Sequence, residues 1–186
     1  KTVHRFISEA RAVNQINHPN IIQIFDFGQL DDGRYYCIME YIEGTELTHL
    51  MNEGKLTFGE MRSLLQQIAA GLDVAHESGI VHRDLKPDNI MVNRQKDGLH
   101  AKILDFGIAK LLESKEATSY KTKTGQVIGT PAYMSPEQAR GEIDRMGPPS
   151  DIYSLGVIVY QMLSGQLPIT GNSVADLLVK LLIEPP

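Results

Sequence analysis

Residues 82–89 read His82-Arg83-Asp84-Leu85-Lys86-Pro87-Asp88-Asn89, and sixteen positions past Asn89 comes Asp105-Phe106-Gly107. Four of the first eight are charged and an amide closes the run, between segments that are largely apolar. A polar loop carried on an apolar scaffold is where catalytic groups usually sit. Asp105 follows Ile103-Leu104, and a carboxylate at a strand end, beside a glycine that frees the backbone, suits a hard cation. Taken singly these short motifs are weak, and Asp84 and Asp105 would be loop caps and Lys86 a solvated charge.

The flanks supply the scaffold. Upstream, Thr57 and Glu60 make a capping box, and Met61, Leu64, Leu65, Ile68, Leu72 and Ala75 form one apolar stripe up to Gly79, predicting a helix with Gly79 at its C-terminal cap. Downstream, the apolar runs 90–92 and 101–104 predict two short strands joined by a polar connection ending in Asp97-Gly98. Nearer the N-terminus, Phe6, Ile7, Ala10, Val13 and Ile16 predict an amphipathic helix over 5–16, ended by Asn17-His18-Pro19. Runs 21–27 and 35–41, parted by Asp31-Asp32-Gly33, predict an antiparallel hairpin, and the helical period returns after Gly44. Residues 112–130 are polar and without period, too long for an idle loop and so expected to be functional or mobile. Helices are predicted over 150–164 and 173–183. The chain has no internal repeat and no low-complexity tract.

Read in order, HRDLKPDN, DFG, Gly129-Thr130-Pro131-Ala132-Tyr133-Met134-Ser135-Pro136-Glu137 and Asp151 before Ser154-Leu155-Gly156 resemble the eukaryotic-type (Hanks-type) serine/threonine protein kinases along the whole chain, most of all bacterial members. The resemblance implies an α+β, two-lobe kinase fold. Residues 1–42 would be part of a small β lobe with its helix and hinge, and 43–186 most of a helical large lobe with the catalytic loop and activation segment. The implied activity is transfer of the ATP γ-phosphoryl group to serine or threonine hydroxyls of proteins, a transferase role in signal transduction. Asp84 would orient and accept the proton of the attacking hydroxyl, and Lys86 would neutralise the migrating group. Asn89 and Asp105 would hold Mg2+, with Mn2+ as the alternative, on the ATP phosphates. Thr130 would bond Asp84 and Lys86. Lys86 and the Gly-Thr-Pro-x-Tyr segment are features shared with serine/threonine rather than tyrosine kinases.

The same resemblance makes Met39 the gatekeeper, with Glu40 and Ile42 presenting hinge backbone to adenine. Glu46 would lie near the ribose, and Met91 would floor the adenine pocket. Taken alone, each apolar strand residue reads as core. Val13, Ile24, His82 and Phe106 match a stacked apolar spine. Arg83 would bind a phosphorylated activation-loop residue, Thr122 or Thr124 before Thr118 and Ser119. Glu9 matches the helix glutamate that pairs with a phosphate-gripping lysine, but the only upstream lysine is Lys1 and no glycine-rich loop precedes it. The usual partner of Glu137, an arginine, would fall after residue 186, so the chain reads as a kinase domain cut at both ends and expected to be weak or inactive alone. Glu137 closes Ser-Pro-Glu where the family usually has Ala-Pro-Glu. Asp151 would hold the His82-Arg83 turn from beneath, and could cap its own helix beside Ser150.

Composition agrees with a globular domain: 186 residues, 42% hydrophobic, with 18 basic against 23 acidic residues and a net charge of -5. There is no basic excess for general nucleic-acid binding, and no run of the roughly 18 apolar residues that a membrane helix needs. The start, Lys1-Thr2-Val3-His4, is not a secretory signal, and a lone Cys37 in an apolar run reads as a buried structural thiol. Expected partners are proteins with serine or threonine acceptors and a second copy for trans-autophosphorylation, in the cytoplasm, with any membrane anchor outside these residues. The rival readings are a non-catalytic kinase-like scaffold module and an unrelated α+β domain.

Overall fold

The computed structural model describes residues 16–106 and 131–183. The helix expected over 5–16, except its last residue, and the segment 112–130 lie outside the described residues, and with them Glu9, Val13, Gly107, Thr122, Thr124 and Thr130.

Strands β1 (Ile24–Gln29) and β2 (Tyr35–Met39) form the expected antiparallel hairpin, with Gly28 opposite Tyr36 and Ile24 opposite Met39. Gly33 turns the chain at φ 88°, a left-handed value that favours glycine, and its N–H donates to the Leu30 carbonyl at 2.9 Å. The first strand starts three residues later than predicted. Ile21 and Ile22 instead run beside the end of another strand: the Ile22 N–H donates to the Ile103 carbonyl at 2.9 Å and the Ile103 N–H to the Asn20 carbonyl at 2.8 Å. Their apolar side chains are therefore buried far from the hairpin's turn.

The second sheet has the order β3 (Thr45–Glu46), β4 (Ile90–Gln95), β5 (Gly98–Ile103), all antiparallel. Both β4 and β5 extend beyond their apolar cores, because the polar connection folds into the ladder as Arg94 opposite Leu99 and Gln95 opposite Gly98. Ile90 and Val92 on β4, and Leu99, Ala101 and Ile103 on β5, are buried at alternate positions.

Helix α1 (Leu47–Glu53) follows β3, and α2 (Phe58–Glu77) supplies the wall against which β5 packs. The α2 capping box is present: the Glu60 N–H donates to Thr57 Oγ1 at 3.2 Å and the Thr57 N–H to Glu60 Oε2 at 2.9 Å. Leu64, Ile68, Leu72 and Ala75 are buried to a solvent exposure of 1% or less. Truncating one such leucine costs about 2–5 kcal/mol. At Gly71 a Cβ would stand 3.1 Å from Ile103 Cδ1 and 3.4 Å from the Asn20 carbonyl, so glycine lets the helix approach the strand. Ser78 rather than Gly79 is the C-cap. Gly79 takes the left-handed position after it (φ 74°), and the Ile80 N–H reaches back to the Ala75 carbonyl at 2.9 Å.

Beyond residue 130 come a 3-10 turn (Pro131–Tyr133), α3 (Pro136–Arg140), α4 (Pro148–Ser164) and α5 (Val174–Ile183). Helix α4 starts before the expected Ser150 because Pro148 and Pro149 fill its first turn, where a missing N–H is harmless. Leu177 and Leu181 of α5 pack on Ala132 and Ile169 in a second apolar cluster. Among the described residues no helix is long and apolar enough to cross a membrane.

Candidate active site

The α2 terminus delivers the chain into residues 80–89, and α4 holds that loop from below. Asp151, 1% exposed, accepts the His82 N–H on Oδ2 (2.8 Å), the Arg83 N–H on Oδ1 (2.9 Å) and the His76 Nε2–H on Oδ2 (2.8 Å). Gly147 is the N-cap of α4, so the expectation that Asp151 caps that helix is corrected: its carboxylate is turned to the loop. His82 is fully buried, its ring 4.8 Å from that of Phe106, and Ile24 is buried in the same core. Burial holds the His82 ring below the usual imidazole range, against the opposing pull of Asp151, the Leu104 carbonyl, Asp84 and Asp105. The neutral ring fits its two bonds: Nε2–H donates to the Leu104 carbonyl (2.7 Å), and Nδ1 accepts the Asp84 N–H (3.2 Å).

Lys86 Nζ lies 3.8 Å from Asp84 Oδ2. Asn89, 9% exposed, directs its amide N–H groups at Asp84, to the carbonyl at 2.8 Å and to Oδ2 at 3.3 Å. That leaves Asn89 Oδ1 as the oxygen for a cation. The β4–β5 register brings in the last member: Ile90 pairs with Ile103, and the Leu104 N–H donates to the Asn89 carbonyl at 2.8 Å, so Asp105 follows directly beside Asn89. Asp105 has φ 49°, and its carboxylate is exposed and takes no hydrogen bond among the described residues. A side-chain residue held at such a φ costs about 1–3 kcal/mol and is stabilised by its surroundings. Among the described residues no three His, Cys, Asp or Glu side chains gather to hold a metal. Two hard oxygens, Asn89 Oδ1 and the Asp105 carboxylate, suit an ion such as Mg2+ that takes its other ligands from phosphate and water.

The hinge candidates follow β2. Met39 closes the strand at 42% exposure and Ile42 is half-buried. Glu40 is pinned: its N–H donates to the Gln23 carbonyl (2.9 Å), and its Oε1 accepts the Gln23 N–H (2.7 Å) and pairs with Lys102 of β5. Glu46 and Met91 are register partners across β3 and β4. Cys37 is half-buried rather than buried, and burial together with the Asp105 charge raises its thiol pKa, which leaves it a weak nucleophile.

Arg83 has φ 65°, and its buried Nε has no hydrogen-bond partner among the described residues. Among the described residues no arginine makes an ion pair with Glu137, but Ser150 Oγ donates to its Oε1 at 2.6 Å. Burial pushes Glu137 up, yet hydrogen bonds from Ser150, Ser135 and its own N–H, with the Arg140 charge, hold it below the usual range. Tyr133 donates to Gln161 Oε1 at 2.6 Å, and burial plus the Asp88 charge push its phenol to about 12. Arg83, Asp84 and Lys86 line a small cleft with Tyr133 and Met134.

Three supporting residues escaped the sequence reading. His76 lies in the last turn of the helix that enters the loop. Lys102 sits one strand residue before Ile103. Gln138 stands three residues after Ser135, the spacing of a second capping box, and that signal could have found it.

The family model described as protein kinase domain matches residues 1–183. The chain is 44% identical over 189 residues to the serine/threonine-protein kinase pkn3 of Myxococcus xanthus, covering 100% of this chain and 34% of that protein. It is 39% identical to PrkC of Bacillus subtilis (96% of this chain, 26% of PrkC) and 38% identical to PknA of Mycobacterium tuberculosis (99% and 42%). The chain thus spans less than half the length of these relatives. Among solved structures, that of Rad53 1-466 in complex with AMP-PNP matches with a TM-score of 0.73 and 31% identity, over 95% of this chain and 42% of the other.

Proposed function

The chain belongs to the protein kinase domain family, and on that premise we propose that the protein is a serine/threonine protein kinase that transfers the ATP γ-phosphoryl group to hydroxyls of protein substrates. One observation carries the reading: Asp84 and Lys86, 3.8 Å apart, share a clamped loop with Asn89, and the β4–β5 register sets Asp105 beside it. Phosphoryl transfer needs placement and charge neutralisation more than covalent chemistry. Asp84 orients the acceptor hydroxyl and takes its proton as the new O–P bond forms and the β–γ bridging bond breaks, releasing ADP. Lys86 balances charge on the migrating group. Mg2+, or Mn2+, held by Asn89 Oδ1 and the Asp105 carboxylate would neutralise the nucleotide phosphates when bound.

Met39, Glu40, Ile42, Glu46 and Met91 form the nucleotide edge of the site, at the junction of a small lobe (1–42) and a large lobe (43–186). Arg83 Nε, which has no hydrogen-bond partner among the described residues, supports a phosphate-binding role, with Thr122 or Thr124 as the phosphorylated residue and a second copy as the phosphorylating enzyme. Glu9 and Thr130 take the helix-glutamate and acceptor-loop roles implied by their positions. The likeness to bacterial serine/threonine kinases supports work at the cytoplasmic side.

The test is label transfer by the full-length protein from γ-labelled ATP with magnesium to peptides bearing one serine, threonine or tyrosine. Label on serine and threonine alone is expected. Label on tyrosine, or nucleotide binding with no transfer, overturns the reading.

A further inference from the structure

Ser135 replaces the alanine expected before Pro136-Glu137, and the transfer chemistry leaves it without a role. It is completely buried, and Gln138, one turn on, is 5% exposed. Gln138 Oε1 accepts the Ser135 N–H at 3.0 Å and lies 3.3 Å from Ser135 Oγ, a hydroxyl that also serves Glu137. With its oxygen so engaged, the amide has one way round, and Gln138 Nε2 donates to the Arg83 carbonyl at 2.7 Å.

That carbonyl belongs to the peptide plane from which Asp84 springs. The other end of the plane, the Asp84 N–H, is held by His82 Nδ1 at 3.2 Å, and the Arg83 N–H is held by Asp151 at 2.9 Å. A residue at φ 65° keeps that conformation only while its neighbours over-determine it. Releasing the carbonyl frees the plane to rotate, and rotation of the plane swings the Asp84 side chain.

We infer that Gln138, oriented by Ser135, is a positioning residue for Asp84 and couples helix α3 to the catalytic loop. The inference rests on the reading of Asp84 as the group that handles the acceptor proton. It goes beyond that reading in giving the Ser-Pro-Glu-Gln wording a mechanical purpose.

The test is steady-state kinetics of the full-length protein on a serine peptide. Gln138→Glu keeps the shape but turns an oxygen toward the Arg83 carbonyl. It is expected to lower kcat by ~10–100-fold, the effect of a displacement of about 1 Å, with KM for ATP and peptide changed less than about twofold. Because a protonated carboxyl can donate again, the deficit is expected to shrink as pH is lowered from about 8 to about 6. In an Asp84→Asn background the substitution should add no further loss, since it acts through the missing group. If Asp84→Asn retains full turnover, the kinase reading falls and this inference with it. If Asp84→Asn abolishes turnover while Gln138→Glu keeps wild-type kcat, or the two losses multiply, only the positioning role falls. Should Gln138→Glu fail to fold, Ser135→Ala decides: a smaller kcat loss, absent when Gln138 is already alanine, supports the inference, and an unchanged kcat overturns it.

Discussion

Replacing Asp151 by asparagine removes one acceptor oxygen from a side chain that serves three donors. The amide oxygen is best kept where Oδ2 stands, because that atom accepts both His82 N–H and His76 Nε2–H at 2.8 Å. The new NH2 group then faces the Arg83 N–H, which loses its 2.9 Å bond and meets a second donor. A hydrogen bond to a charged partner contributes roughly 1.5–3 kcal/mol, and a stranded buried donor costs about 1–3, so the net loss is ~3 kcal/mol. For a domain of this size that lowers Tm by ~6–12 °C. Calorimetry of both proteins measures the shift, and amide exchange locates it: Arg83 should exchange about tenfold faster or more while the α2 core keeps its protection. A Tm within about one degree of wild type, with unchanged Arg83 exchange, would refute the view that α4 holds the loop in place.

Two pH responses follow from the buried His82 ring and the half-buried Tyr133 phenol. His82 has a folded-state pKa below its unfolded value of 6.5, so the unfolded chain binds more protons in acid. Its contribution is complete above about 6.5 and declines below, by at most about 1.4 kcal/mol per pH unit. Denaturant titrations at descending pH should show a shallower acid decline in His82→Gln than in wild type, and parallel curves would contradict this. Tyr133, raised from 10.0 to about 12, acts at the other extreme. Stability is unaffected below pH 10 and falls as pH rises toward 12, and Tyr133→Phe should remove that fall together with one late-titrating phenol in the absorbance spectrum.

What was legible in the chain had a local cause. Thr57 and Glu60 start α2, its stripe repeats at three and four, and Gly33 needs only its own turn to mark the hairpin. The candidate loop was legible through residue order, since Asp84, Lys86 and Asn89 lie within six positions. The rest depends on contacts distant in sequence. Ile21 and Ile22 have good strand chemistry, and nothing near them says that they run beside Ile103 rather than continue β1. Lys102 reads as a solvated strand charge until Glu40, 62 residues earlier, is folded beside it. Gln138 carries a local signal as the third residue after Ser135 in a capping box, but its bond to the Arg83 carbonyl, like the bond of His76 to Asp151, arises only when residues distant in sequence are brought together. The groups proposed to act in transfer were thus visible, and most of the supports that hold their loop were not.

Single-turnover label transfer in full-length wild type and Asp84→Asn, with ATP affinity measured alongside, decides whether this loop performs phosphoryl transfer through Asp84. ATP affinity is expected to be retained in Asp84→Asn while the transfer rate drops by at least about a hundredfold, the usual contribution of a positioned base. Equal rates in the two proteins would contradict it.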